Sequence, residues 1–170
     1  MDFHKLAASR YSVRKFAEKP LEDEKLNEIL ECGRIAPSAH NNQPQRIYVL
    51  KSGEALAKIR AITRYAFNAP VVLLVCGNVD EGWINSFNNR NATEMDTSIV
   101  TTHMMLQAME LGIGSTWVCW FDTEKVKQEF ALPQGIEPFC LLPLGYPAES
   151  SAPTANHTTR KPLAETVTEL

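Results

Sequence analysis

The sequence predicts an α+β fold, a mixed or antiparallel central sheet surrounded by helices, and three observations predict it. Val71 to Cys76 is an uninterrupted apolar run bounded by Pro70 and Gly77, the signature of a central strand covered on both faces. Thr93 to Leu111 carries two apolar stripes at helical spacing, so it is the longest helix and is buried on two sides. Four strand-like runs are interspersed among helical ones, the order expected of helices packed around one sheet.

Each element has a local reason. Asp2 to Ala8 reads as a short amphipathic helix with Phe3, Leu6 and Ala7 on one side. Glu22, Asp23 and Glu24 crowd a helix start after Pro20, where acids complement the positive helix terminus. Leu26, Ile29, Leu30 and Gly33 continue that helix as one buried face. It ends before Pro37, because a residue preceding proline is pushed out of the helical region.

Ala36 to Gln45 contains two prolines among amides and hydroxyls, which makes it a loop. Ile47 to Leu50 is a strand, and Ser52 or Gly53 begins a helix through Leu56 and Ile59. Asn78 to Arg90 reads as a long, mobile connection with an asparagine cluster and an exposed Trp83. In the long helix, Met95, Ile99, Thr102, Leu106 and Met109 form one stripe; Val100, Met104, Ala108 and Leu111 form the other. Gly112 supplies its C-terminal cap. Ser115 to Phe121 is strand-like, Asp122 caps a helix through Val126 and Phe130, and Phe139 to Leu144 is another buried strand. The last stretch, 146–170, is an aperiodic arm suited to lying on another surface.

Composition narrows the function classes. A chain of 170 residues fits a single domain, 1–170 including the arm. A net charge of −3 gives no bulk attraction to nucleic acid or membrane, so any basic site must be local. Cys32, Cys76, Cys119 and Cys140 lie far apart with no C-x-x-C pair. That argues against a disulfide framework and against a metal site, and fits a cytoplasmic protein. No stretch approaches the ~20 apolar residues of a membrane span.

Ser9 to Phe16 draws the most attention. Arg10, Arg14 and Lys15 fall within this one stretch, with Ser12 between the arginines. In an extended segment side chains alternate, so Arg10, Ser12 and Arg14 point the same way. Two guanidinium forks beside a hydroxyl can receive a phosphate or carboxylate; a solvated surface cluster is the competing reading. Ser38, Asn41, Asn42 and Gln43 offer amide donors and acceptors suited to a flat heterocycle, or equally to a self-capping turn. Arg160 and Lys161 form a third basic pair. Together the three clusters suggest a phosphorylated cofactor.

Other polar residues read as structural. His103 lies mid-helix among apolar neighbours without a metal-ligating partner, and His40 reads as a loop histidine in water. Cys119 has no histidine nearby in sequence to deprotonate it. Gly112-Ile113-Gly114 follows a helix rather than a strand, so it is no dinucleotide fingerprint.

Ser9-Arg10-Tyr11-Ser12-Val13-Arg14-Lys15-Phe16, followed after one helix by Ala36-Pro37-Ser38, Asn41 and Gln43-Pro44, resembles the nitroreductase family of FMN-dependent oxidoreductases. The resemblance continues through Asp96, Leu111 to Ser115 and Leu144-Gly145-Tyr146-Pro147, and ends at Arg160-Lys161-Pro162. It implies a nitroreductase-like homodimer with FMN sites between subunits. Arg10, Ser12 and Arg14 would hold the phosphate and ribityl end, joined by Arg160 or Lys161. Pro37, Ser38, Ala39 and Asn41 would reach the flavin from the other subunit. Cys119 and Trp120 would lie near the ring, in the segment whose backbone N–H faces N5, and Arg64 near its pyrimidine side.

The implied activity is hydride transfer from NADH or NADPH through flavin N5 to a nitroaromatic, quinone or similar small acceptor, with no side-chain acid or base required. A non-catalytic flavin-binding or redox-sensing protein of the same fold is the alternative. Three departures stand out. Gln45 replaces a usual tryptophan, Cys119-Trp120 replaces a small glycine-containing segment, and Asn78 to Met95 is too short for the helical excursion of longer members.

Overall fold

The computed structural model describes residues 2–170. Its elements are α1 (Phe3–Ser9), α2 (Asp23–Arg34), β1 (Gln45–Leu50), α3 (Gly53–Ile62), β2 (Val71–Asn78), α4 (Thr93–Glu110), β3 (Gly114–Ser115), α5 (Thr123–Glu129), β4 (Ile136–Gly145) and α6 (Leu163–Thr166). The four strands form one sheet in the order β1-β2-β4-β3, antiparallel at every pairing. The apolar run from Val71 therefore sits at the centre, as its lack of polar breaks requires.

Alternation along β2 divides the core. Val71, Leu73 and Val75 face Leu26, Ile29, Val100 and Met104 of α2 and α4. Val72, Leu74 and Cys76 face Leu56, Ile59 and Val126 of α3 and α5. The result is helices on both faces of a sheet. Burying each such aliphatic side chain is worth ~1.5–3 kcal/mol, so both layers contribute comparably to holding the sheet in place.

Helix ends follow their local chemistry. Ser52 accepts the Ala55 amide at 3.2 Å and Asp122 accepts that of Lys125 at 3.1 Å, which satisfies otherwise orphaned N–H groups. Gly112, at φ +73°, follows α4 in the left-handed conformation that a side chain would strain.

Helix α4 divides its two stripes unequally. Val100, Met104 and Ala108 are buried against the sheet. Met95 is half exposed, and Leu106 lines an open apolar hollow of ≈ 410 Å³ with Phe3, Leu6 and Cys32. The core uses one stripe and Ile99 of the other, which leaves Met95 and Leu106 on the open side within this chain.

Two sequence expectations need correcting. Ser115 to Phe121 is not a strand: β3 is only Gly114–Ser115, followed by a lone bridge from Val118 to Leu141. The chain then leaves the sheet edge in a tight turn in which the Phe121 amide donates to the Cys119 carbonyl at 3.2 Å. Trp83 is not exposed but half-buried, stacked on His40 with ring centroids 5.7 Å apart. The asparagine cluster is a chain of side-chain turns. Asn85, Asn88 and Asn91 each accept the amide two residues on.

Candidate functional site

The basic stretch runs extended along the edge of the sheet. Ser12 bridges Ser115 in parallel, the Val13 amide donates to the Ser115 carbonyl at 2.9 Å, and Phe16 bridges Pro147. Gly114 is required here because a Cβ would meet the Val13 side chain at 2.7 Å. Val13 points inward and is 2% exposed. Alternation then turns Ser12 and Arg14 outward, as the sequence predicts.

Arg10, Ser12 and Arg14 line one polar cavity of ≈ 150 Å³, closed on its other side by Asn156, His157 and Arg160. The C-terminal arm thus comes back onto the N-terminal segment. The Tyr11 hydroxyl lies 3.3 Å from the Ser151 hydroxyl and its ring meets His157 edge-on. Arg160 is folded back by hydrogen bonds of 2.7 Å to the His157 and Thr159 carbonyls.

No carboxylate lines the cavity. Among the described residues none of the three arginines forms an ion pair. Three arginines lining one cavity without a carboxylate give it a positive character that suits an anion. Lys161 does not line this cavity; its nearest carboxylate is Glu165, at 3.9 Å.

The Pro37 to Gln43 loop lies elsewhere on the chain, and none of its residues lines the arginine cavity. His40, Asn41 and Gln43 all adopt positive φ near 50°, a conformation held only when surroundings determine it. Ser38 Oγ accepts the Gln43 amide at 3.0 Å, Gln43 Nε2 donates to the Asn41 carbonyl, and Asn42 Nδ2 donates to the Glu81 carbonyl. The self-capping reading of this cluster is therefore correct for Ser38 and Gln43. Asn41 and Pro37 remain exposed.

Asp96, on the first turn of α4, anchors this loop. It is 2% exposed and accepts the Ala39 amide at 2.9 Å. Its second oxygen is buried without a partner among the described residues.

Cys119 and Trp120 project from the turn that leaves the sheet, and Trp120 is 78% exposed. The Trp117 indole donates to Cys119 Sγ at 3.2 Å. Buried Thr63 donates its hydroxyl to the Trp120 carbonyl at 2.7 Å and accepts the Tyr65 amide. The backbone N–H groups of Cys119 and Trp120 make no hydrogen bond among the described residues. Arg64, next to Thr63, donates to the Tyr65 hydroxyl at 2.9 Å.

Sequence reasoning found the arginines and Ser12 but missed Tyr11, Asn156, His157 and Thr63. The first three meet only because the arm returns to the chain start, and no local pattern signals that. Asp96 entered the sequence reading as part of a motif; its anchoring of Ala39 is visible only in the fold.

No group of His, Cys, Asp and Glu among the described residues is placed to hold a metal ion. Among the described residues no helix is long and apolar enough to cross a membrane. Burial pushes the Cys76 and Cys140 thiols up to about 12, which leaves them unreactive at neutral pH.

Comparison with known proteins places this geometry. The model of the nitroreductase family matches residues 7–69 and 63–146. A crystal structure of a nitroreductase family protein from Clostridium difficile superposes with a TM-score of 0.92 at 42% identity, covering 99% of this chain and 98% of that one. A Thermus thermophilus protein named NADH dehydrogenase is 28% identical, with 91% of each chain covered. A Bacillus subtilis protein named FMN reductase [NAD(P)H] is 24% identical over 83% of this chain and 64% of its own length.

Proposed function

The chain belongs to the nitroreductase family, and we propose that it is an FMN-dependent oxidoreductase that passes electrons from NADH or NADPH to a nitroaromatic, quinone or similar small acceptor. The observation that carries this reading is the convergence of Arg10, Arg14 and Arg160 on one cavity without a counter-charge. A phosphate monoester fits such a donor set, because each guanidinium can offer two parallel charge-assisted hydrogen bonds.

When bound, FMN supplies the two-electron centre between pyridine nucleotide and acceptor. The protein's part is placement. Arg10, Ser12, Arg14 and Arg160 hold the phosphate end, and Lys161 lies just outside this set. The free amides of Cys119 and Trp120 are offered to the ring edge, on a turn fixed from below by Thr63. Pro37, Ser38, Ala39 and Asn41 reach the flavin from a second subunit in a homodimer. The partner packs on the open stripe of α4, where Leu106 and Phe3 expose apolar surface. Holding donors rigidly in advance of the reaction is the contribution such a scaffold makes to rate.

Anaerobic addition of NADH or NADPH to the flavin-loaded protein tests the activity. Bleaching near the flavin absorption maximum, reversed by a nitroaromatic or a quinone, is expected. Bound flavin that neither nucleotide reduces would instead mark a non-catalytic flavin-binding protein.

A further inference from the structure

Two successive residues of the Pro37 to Gln43 loop are held from one foundation, the start of α4. Asp96, on the first turn of that helix, accepts the Ala39 amide at 2.9 Å. The next residue, His40, lies with its ring against Trp83, the planes 12° apart and the centroids 5.7 Å apart. Among the described residues the His40 ring makes no hydrogen bond, so its placement comes from this stack.

Trp83 is itself fixed. Its carbonyl accepts the Ala92 amide at 2.8 Å, immediately before α4. Asn91 donates to the Val79 carbonyl at 2.8 Å and accepts both the amide and the hydroxyl of Thr93, the buried first residue of α4. At the other end of the segment, Glu81 takes hydrogen bonds of 2.7 and 2.6 Å from Arg46 of β1. The Glu81 carbonyl accepts Asn42 of the loop at 2.9 Å. Residues 78–92 thus brace the loop against both sheet and helix.

The loop needs such a brace. His40, Asn41 and Gln43 stand at φ of 53°, 56° and 52°, which side chains hold only where the surroundings impose it. A loop that relaxes part of the time binds more weakly, in proportion to the fraction left in the competent shape.

We propose that Trp83 is a positioning residue: by stacking on His40 it keeps Pro37, Ser38, Ala39 and Asn41 in the shape that meets the flavin ring. This rests on the flavin reading for what the loop meets, and on the fold alone for how the loop is held. None of the loop residues lines the arginine cavity, so Trp83 acts on affinity for the ring and not for the phosphate.

The test compares Trp83→Leu, which keeps apolar bulk without a ring, with Trp83→Phe, which keeps a ring. Both are titrated with FMN and with riboflavin. An aromatic pair corresponds to about two- to tenfold in affinity. Trp83→Leu should lose that factor equally for the two flavins, and Trp83→Phe should recover most of it. His40→Ala removes the stack from its exposed side and should reproduce the loss, with no further loss when combined with Trp83→Leu. Wild-type affinity in Trp83→Leu, equal losses in the Leu and Phe variants, or a loss for FMN alone would overturn the proposal.

Amide exchange at Ala39 supplies a readout that needs no flavin. It should be faster in Trp83→Leu and in His40→Ala than in wild type, while the β2 amides keep their rates. Faster exchange at Ala39 in a protein that takes up no flavin would uphold the brace and overturn the flavin reading alone. An unchanged rate at Ala39 in both variants would overturn the brace.

Discussion

The Asp96 carboxylate accepts the Ala39 amide at 2.9 Å from inside the protein, tying the first turn of α4 to a loop with three strained residues. Among the described residues Ser38, Asn42 and Gln43 bond instead to carbonyls and amides near the surface. The loop's shape therefore draws on a buried acceptor as well as on its surface hydrogen bonds and the stacking of His40 on Trp83.

Replacing Asp96 by Ala removes that acceptor and leaves the Ala39 amide unpaired. The expected cost is ~1–3 kcal/mol of stability, measured by denaturant unfolding. FMN affinity should fall as well, because Ser38 and Asn41 lose their fixed positions. Asp96→Asn keeps an acceptor for Ala39 and should lose less on both counts. Full retention of stability and affinity by Asp96→Ala would remove the loop from the site.

The arginines separate in a second series. Arg14→Ala and Arg160→Ala each delete a charge-assisted contact worth ~1.5–3 kcal/mol. FMN binding should weaken by about one to two powers of ten in each, at ~1.4 kcal/mol per tenfold. Lys161→Ala should bind FMN nearly as wild type, since Lys161 lies outside the cavity. Flavin fluorescence quenching measures all three. A loss at Lys161 equal to that at Arg160 would move the phosphate along the arm.

Much of this was legible in the sequence. The apolar run at Val71 marked the central strand because only a strand buried on both faces dispenses with polar residues. Arg10, Ser12 and Arg14 were readable as one face because extended chain alternates strictly. The turn at Cys119 was not readable: its valine and aromatics have high strand propensity, yet after Ser115 the pairing with β4 is reduced to the single bridge of Val118 with Leu141. His157 was invisible for a different reason. Its contact with Tyr11 comes from a long-range return of the arm, and no local pattern in residues 155–159 encodes where that return ends. Trp83 read as exposed because its neighbours are polar, and its stacking partner, His40, is remote in sequence.

The four thiols should differ sharply in reactivity. Burial pushes Cys76 and Cys140 up to about 12, and desolvation raises Cys32 as well. Cys119 is exposed. A thiol-labelling reagent at neutral pH should modify Cys119 first and reach Cys76 and Cys140 only after denaturation. Bound FMN should slow labelling of Cys119. Labelling at an unchanged rate with saturating FMN would place the ring away from this turn.

The proposed homodimer makes its own demand on α4. Leu106→Asp puts a charge into the apolar hollow shared with Phe3 and Leu6, where an unpaired carboxylate is costly to desolvate. The expected result is a lighter species by static light scattering, with FMN released in proportion. A monomer of 19.0 kDa that keeps its flavin would refute a site shared between subunits.

The central claim is that the arginine cavity holds the phosphate of a non-covalently bound FMN. The absorbance spectrum of protein purified from cells, recorded before and after adding FMN and again after removing free flavin, tests it most directly. A yellow protein, or a colourless one that takes up one FMN per chain and releases it on denaturation, is the expected result. A colourless protein that leaves all added FMN free in solution would contradict it.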